Sequence, residues 1–256
     1  MKFENDYTSF YYEFINNSQK INTIILPGWM NNTTTYRPLF ETIGKFSNIY
    51  IINFPGFKIS PNPPSCVNLD YYVKLLKDFI DYLNIDKVIL FGHSFGGRVS
   101  IKYEAIYGNS LFLILTSSAG IRRFSLKRSC LIHLFKLKKN ILKVINKSKY
   151  IELIQNSGSR DYNSLDHTMK KTFINIVNED LKEYCSRIKT PTLLLWGEND
   201  QETKLKDGKL MNKLIKSSSL VVIKNAGHFP FIDNFYQYQL VLISFYEYIM
   251  EELLLN

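Results

Sequence analysis

Six short apolar runs set the strongest limit on how this chain can fold. They are INTIILP (21–27), NIYIINFPG (48–56), KVILFG (87–92), LFLILTS (111–117), PTLLLWG (191–197) and SLVVIKN (219–225). Each is about one strand long, and its apolar character is continuous rather than alternating, the mark of a strand covered on both faces. Helical patterns separate them. In LDYYVKLLKDFIDYLN (69–84), Tyr72, Val73, Leu75, Leu76, Phe79, Ile80 and Leu83 fall on the helical period. Residues 35–45 and the segment after Ser94 to Tyr107 also read as helices, the second stopped at Gly108, as do segments near 203–216 and 234–254. YTSFYYEF (7–14) reads as an earlier strand. Strands alternating with helices pack as a mainly parallel sheet flanked by helices, an α/β fold. A chain of 256 residues suffices for one such domain.

The alternation lapses between about 120 and 189, where the pattern is helical and no buried strand is visible. Residues 1–118 and 190–256 are therefore expected to build the core, with 119–189 inserted as a helical cap over one edge of the sheet. The charge is concentrated in the same place. The net charge is +9, and residues 121–150 carry ten basic side chains (Arg122, Arg123, Lys127, Arg128, Lys136, Lys138, Lys139, Lys143, Lys147 and Lys149) with no Asp or Glu. The rest of the chain is close to neutral, so the charge belongs to one surface. Cys66, Cys130 and Cys185 lie far apart, and an odd count without a pattern predicts reduced thiols used for packing. The start of the chain has no basic region followed by an apolar run, and no apolar stretch approaches the roughly 20 residues of a membrane span. A cytoplasmic protein is expected.

Chemistry enters at LFGHSFGGRVS (90–100), where Ser94 stands between Gly92 and Gly96 at the junction of an apolar run and a helical one. A serine there is a favoured helix N-cap. Small flanking residues also permit a sharp strand-to-helix turn that lifts the hydroxyl clear of a sheet and aims a helix N-terminus at a reacting centre. A serine attacks only if a base takes its proton. Of the four histidines, His93 adjoins the serine with its side chain turned away, and His133 and His167 lie in the helical insertion. His228, in KNAGHFPF, follows an apolar run and is the candidate base; Phe229 beside it is a candidate for an acyl pocket or for the core. In PTLLLWGEND, Glu198 and Asp200 are the carboxylates able to orient that base, and Asp200, further into the loop, is preferred. The order Ser94, Asp200, His228 is one of the known orders of a nucleophile–acid–base triad. An oxyanion needs two N–H donors. Phe95 supplies one, and LPGWMNN supplies Trp29, with Met30 second, because Pro27 has no N–H.

GHSFGG, LPGW, NFPGFKIS, WGEND and NAGHFPF, placed as they are along the chain, resemble the α/β-hydrolase superfamily, over nearly the whole length and with residues about 119–189 as the variable cap. The resemblance implies that Ser94, Asp200 and His228 form the triad and that Trp29 and Phe95 donate to the oxyanion. Two departures stand out. Pro27 occupies the place of the family's usual oxyanion-loop histidine, and Asn53 to Ser60 lack the acid and second glycine of the family's D-x-P-G-x-G-x-S.

The reaction so implied is acyl transfer to Ser94, then hydrolysis by water activated at His228. No metal-ligand cluster, phosphate loop or dinucleotide fingerprint is visible, so no cofactor is expected. In CLIHLFKLKKNILKVINK, apolar Leu131, Leu134, Phe135, Ile141, Leu142 and Ile145 recur at helical spacing, and Lys136, Lys139, Lys143 and Lys147 fall on another face. That pattern describes a cap helix packed over the site with a solvated lysine face. It also describes a surface for an anionic partner: an acidic acyl-carrier protein met through Arg122, Arg123, Lys127, Arg128, Lys136, Lys139 and Lys143, or an anionic lipid surface. Nucleic acid is disfavoured, since no aromatic or Arg readout pattern accompanies the lysines. With P-G-W in the oxyanion loop, the basic cap most resembles the pimeloyl-[acyl-carrier protein] methyl ester esterases of biotin synthesis, a resemblance that implies cap arginines and lysines holding the carrier protein; Met30 and Phe229 are the candidate substrate-binding residues. A general carboxylesterase, lipase-like enzyme or thioesterase for short to medium acyl chains is the rival reading, and a non-catalytic ligand-binding member of the scaffold is a third.

Overall fold

The computed structural model describes residues 1–122, 126–155 and 165–255, and it sets the six apolar runs side by side in one sheet. The strands are β1 (Lys2–Asn5), β2 (Thr8–Ile15), β3 (Asn22–Leu26), β4 (Asn48–Asn53), β5 (Val88–His93), β6 (Phe112–Thr116), β7 (Thr192–Gly197) and β8 (Ser218–Ile223). Their order is β1-β2-β4-β3-β5-β6-β7-β8. β3 to β8 run parallel, and β2 joins β4 antiparallel, in turn pairing antiparallel with β1. β1 escapes a sequence reading because it buries only Phe3 among polar neighbours.

The helices are α1 (Phe40–Gly44), α2 (Leu69–Leu83), α3 (Phe95–Tyr107), α4 (Leu126–Ile145), α5 (Lys147–Gln155), α6 (His167–Asn178), α7 (Lys182–Arg187), α8 (Leu205–Leu214), α9 (Pro230–Asp233) and α10 (Phe235–Leu255). Successive residues of β3 feed opposite cores, as a strand's two-residue period requires. Ile24 and Leu26 join the side chains of α2, α3, α7 and α8, whereas Ile25 joins those of α1 and α10. The helix expected over 35–45 is split: a tight 3-10 turn covers Thr33–Leu39 and α1 follows, because Pro38 removes a helical donor. Cys185 is buried as expected, with burial pushing its thiol up to about 12, but Cys66 is exposed.

α3 packs unusually close to the sheet. A methyl on Gly96 would overlap the Leu26 carbonyl oxygen, and one on Gly97 would overlap Ser118. The same helix anchors the cap. Buried Arg98 donates to the carbonyls of Ile176 (3.1 Å) and Glu179 (2.9 Å), satisfying the C-terminal end of α6. Buried Lys102 lies 2.5 Å from both Asp70 and Glu179.

α4 and α5 pack on each other. On α4, Leu134, Leu137, Ile141, Val144 and Ile145 are exposed, Val144 at 86%. This differs from the expectation of a cap helix packed over the site through its apolar residues, of which the side chain of Leu131 lies outside the described residues. Leu142 and Phe135 are half-buried between the exposed apolar face and the lysines.

Gly96→Ala pushes a carbon into main chain that has no room to retreat, so it should cost about 2 kcal/mol or more. Urea unfolding of the variant beside the parent checks this; an unchanged midpoint would contradict the close packing.

Candidate active site

The sheet order turns at β3, which lies between β4 and β5. The LPGWMNN loop and the GHSFGG turn therefore leave the carboxyl ends of adjacent strands toward opposite faces, the crevice in which open α/β sheets bind ligands.

Ser94 occupies that crevice with φ 51° and ψ −109°, a conformation an L residue holds only at a cost of about 1–3 kcal/mol. Three main-chain hydrogen bonds hold it there. Ser94 N–H donates to the Thr116 carbonyl (3.2 Å), Ala119 N–H to the Ser94 carbonyl (3.0 Å) and Gly96 N–H to the Pro27 carbonyl (2.9 Å). The Ser94 side chain makes no capping hydrogen bond, so the turn does not use this serine as a helix cap.

The strained turn directs the neighbouring His93 inward, where it is fully buried. Its Nε2 lies 2.9 Å from the His228 carbonyl and its Nδ1 2.9 Å from Tyr36 Oη. A carbonyl only accepts, so Nε2 carries the hydrogen and Nδ1 accepts from the tyrosine hydroxyl. Tyr36 Oη in turn accepts from Gly28 N–H (2.8 Å). Burial, reinforced by nearby His228, pushes His93 down to about 3, so the imidazole is neutral and its tautomer is set. One buried chain of donors thus ties the LPGW loop to the main chain of His228. The sequence offered no sign of it, since Tyr36 reaches His93 only through the topology of the sheet.

His228 and Asp200 meet across adjacent loops, with Nδ1 3.0 Å from Oδ2. Asp200 is buried, and burial alone would raise its carboxyl. Hydrogen bonds from His228 and Thr203, with the charge of His228, hold it below the ordinary carboxylate range. Its Oδ1 accepts from the N–H groups of Glu202 (2.9 Å) and Thr203 (3.0 Å), and Thr203 Oγ1 lies 2.8 Å from Oδ2. Such an aspartate-initiated turn is legible in ENDQET, although the sequence reading passed over Thr203. Glu198 is turned aside: its Oε2 accepts from Asn225 N–H (3.2 Å). On its other nitrogen His228 faces a residue the sequence reading did not single out, Glu202, whose Oε2 lies 3.3 Å from Nε2.

Of the donor candidates, Phe95 N–H is the first of α3 and has no acceptor within that helix. Trp29 lies between Gly28, whose N–H is taken by Tyr36, and Met30, which has φ 56°. The Trp29 ring stands edge-on to Phe57 (5.0 Å), Phe95 (5.3 Å) and Phe173 of α6 (5.2 Å), and its indole Nε1 is buried with no hydrogen-bond partner among the described residues. Met30 packs against the same core. Phe229 lies on the other side, its ring 5.0 Å from His93 and 6.0 Å from Phe231, where it supports the histidine pair.

The basic cap residues do not form one set. Arg122 is engaged at the cap's base, its guanidinium donating to the Asn178 carbonyl (3.1 Å) and its N–H to Asp180 (3.2 Å). Arg122 is exposed and also satisfies the end of α6. Lys143 is exposed and Lys139 half-buried. Arg123 and the side chains of Lys127, Arg128 and Lys136 lie outside the described residues. Among the described residues no helix is long and apolar enough to cross a membrane.

Comparison with known proteins places the fold. A family model described as alpha/beta hydrolase fold matches residues 24–138 and 149–235. The uncharacterized hydrolase YugF of Bacillus subtilis is 24% identical over 251 residues, spanning 89% of this chain and 90% of its own. The pimeloyl-[acyl-carrier protein] methyl ester esterase of Wigglesworthia glossinidia brevipalpis is 21% identical over 245 residues, covering 85% of this chain and 90% of its own. Among solved structures, an esterase from Exiguobacterium antarcticum superposes with a TM-score of 0.72 at 21% identity, covering 94% of this chain and 96% of that one.

The buried neutral His93 has a stability signature. Unfolding returns it to the ordinary value near 6.5, so below that pH the unfolded chain takes up a proton that the folded chain refuses until about 3. Stability should fall by about 2 kcal/mol between pH 7 and pH 5 from this residue. Urea titrations at both values should show that extra loss in the parent and its absence in His93→Gln, which keeps a donor and an acceptor but does not titrate.

Proposed function

The chain belongs to the alpha/beta hydrolase family, and on that premise we propose that it is a serine-dependent carboxylic ester hydrolase working through an acyl-enzyme. The observation that carries the reading is that His228 is gripped at two points. Its Nδ1 faces an ionised Asp200, and its main chain is held by the residue next to a strained Ser94. In the proposed first step His228 Nε2 takes the Ser94 proton while Oγ attacks the ester carbonyl. The oxyanion so formed is met by the N–H groups of Phe95 and Trp29. Collapse breaks the bond to the alcohol oxygen, which leaves with the proton from Nε2. Water, deprotonated by the same nitrogen, then attacks the acyl-enzyme, and the acid departs with Ser94 restored. Asp200 stabilises the imidazolium between these transfers.

For the substrate, the acyl part is proposed to be carried by an acidic acyl-carrier protein, as a methyl ester, with Lys139 and Lys143 of the cap meeting the carrier. The similarity to the Wigglesworthia esterase and the unbalanced positive charge of residues 121–150 support this. A carboxylesterase acting on free short to medium acyl esters is the second reading, favoured by the likeness to the Exiguobacterium esterase. A ligand-binding role without catalysis is disfavoured, because it gives no reason to maintain both a strained serine and a buried ionised aspartate.

A fluorophosphonate should label the protein at Ser94, and Ser94→Ala should lose both labelling and turnover of a p-nitrophenyl ester series. Asp200→Asn should lower kcat on the order of a thousandfold or more while the fold is retained. Full labelling of Ser94→Ala would defeat the proposal. For the carrier, Lys139→Glu with Lys143→Glu should weaken turnover of a carrier-linked ester about tenfold or more and spare a small soluble ester. Equal effects on the two substrates would favour the second reading.

A further inference from the structure

The proposed chemistry leaves one close contact unused. His228 Nε2, the nitrogen that must move the proton, lies 3.3 Å from Oε2 of Glu202, whose side chain is 70% exposed. Asp200 already takes the hydrogen on Nδ1 at 3.0 Å, so Glu202 is drawn to Nε2 only while a second proton sits there. A neutral His228, ready to act as base, presents a lone pair instead and turns the carboxylate toward whatever approaches. Main chain keeps Glu202 in this place: its N–H donates to Asp200 Oδ1 at 2.9 Å, so the turn that builds the acid loop also sets Glu202 beside the imidazole.

We propose that Glu202 selects the leaving group, favouring esters whose departing alcohol carries a positive charge and disfavouring those whose alcohol is anionic. The proposal rests on the serine hydrolase reading above and concerns how that site ranks leaving groups; methanol, the alcohol released from a methyl ester, is uncharged and is neither favoured nor disfavoured by it. The alcohol oxygen receives its proton from Nε2 and so must come within hydrogen-bond reach of it, about 3 Å. With Oε2 of Glu202 3.3 Å from the same atom, that oxygen passes within roughly 6 Å of the carboxylate, and the group it carries meets Glu202 on the way in and out. Among the described residues, the other ionisable groups facing His228 do not compete. Asp200 is buried and committed to Nδ1, and His93 is neutral with its Nε2–H on the His228 carbonyl. The contact is solvent-exposed, so the discrimination is modest, on the order of fivefold at low salt, and fades as salt screens it.

The test uses two esters of one acyl chain, a choline ester and its uncharged 3,3-dimethylbutyl isostere, with kcat/KM measured at low ionic strength for parent, Glu202→Gln and Glu202→Lys. The parent should favour the choline ester about fivefold. The preference should vanish in Glu202→Gln and reverse in Glu202→Lys, and added salt should erase it in the parent. A parent ratio that is the same in all three proteins, or that salt does not change, overturns the proposal while leaving the serine hydrolase reading intact. Failure of a fluorophosphonate to label Ser94, with neither ester turned over, overturns both.

Discussion

Helix α3 begins almost against the main chain of β3, with nothing at Gly96 to hold the helix away from the Leu26 carbonyl. Because the helix starts so near, the chain must pass from a buried strand to a helix within one residue, and Ser94 takes up the strain at φ 51°. The rest of the site follows from that turn. It sends the side chain of His93 down into the core as Ser94 turns out, and the buried imidazole then has two acceptor-or-donor positions to satisfy. Tyr36 and the His228 carbonyl satisfy them, and in doing so they join loops from opposite ends of the chain. A missing side chain at position 96 is thus connected, through strain and then through hydrogen bonding, to the placement of a loop 132 residues further along at His228.

Burial disfavours the charged form of both ionisable residues that hold His228, and their partners explain why the outcomes differ. His93 and Asp200 are both removed from water. Among the described residues no anion contacts the His93 imidazole directly, so desolvation wins and it stays neutral. Asp200 is surrounded by donors, the N–H groups of Glu202 and Thr203, the Thr203 hydroxyl and the His228 ring, and these outweigh desolvation and keep it charged. A neutral support beneath and an anion beside are what a proton-carrying imidazole needs. The first fixes position without adding a competing charge, and the second favours the imidazolium at the step where it forms.

The sheet was largely legible in the sequence because buried parallel strands advertise themselves as unbroken apolar runs. All six such runs became strands, and the amphipathic helix over 69–84 became α2 within a residue. The short edge strand β1 was not, since four residues with one buried phenylalanine carry too little pattern. The positions of Ser94, Asp200 and His228 could be read because each sits just past the end of a strand. Their supports could not, because Tyr36 and Thr203 earn their places through contacts that no local pattern encodes. The same limit applies to Arg122. Counted by sequence it belongs with nine other basic residues, yet in space it closes the end of α6.

The cap divides along this line into a part that the core constrains and a part that it does not. α6 is bound to α3 through Arg98 and Lys102, and it sends Phe173 onto Trp29, so this half of the cap is continuous with the helix that begins at Ser94. α4 and α5 pack chiefly on each other and present exposed leucines, isoleucines and valine beside lysines. Surface of that kind contributes little to holding the chain folded, because exposed apolar groups gain nothing from burial and like charges on one helix repel. Its composition is not explained by what it supports, which is why the proposed function places an anionic carrier there. In the proposed reaction the two kinds of selection would then fall in different places: the reacting bond and its leaving group at the edge of the sheet, beside Ser94, His228 and Glu202, and the carrier of the acyl chain on the helical pair beyond it.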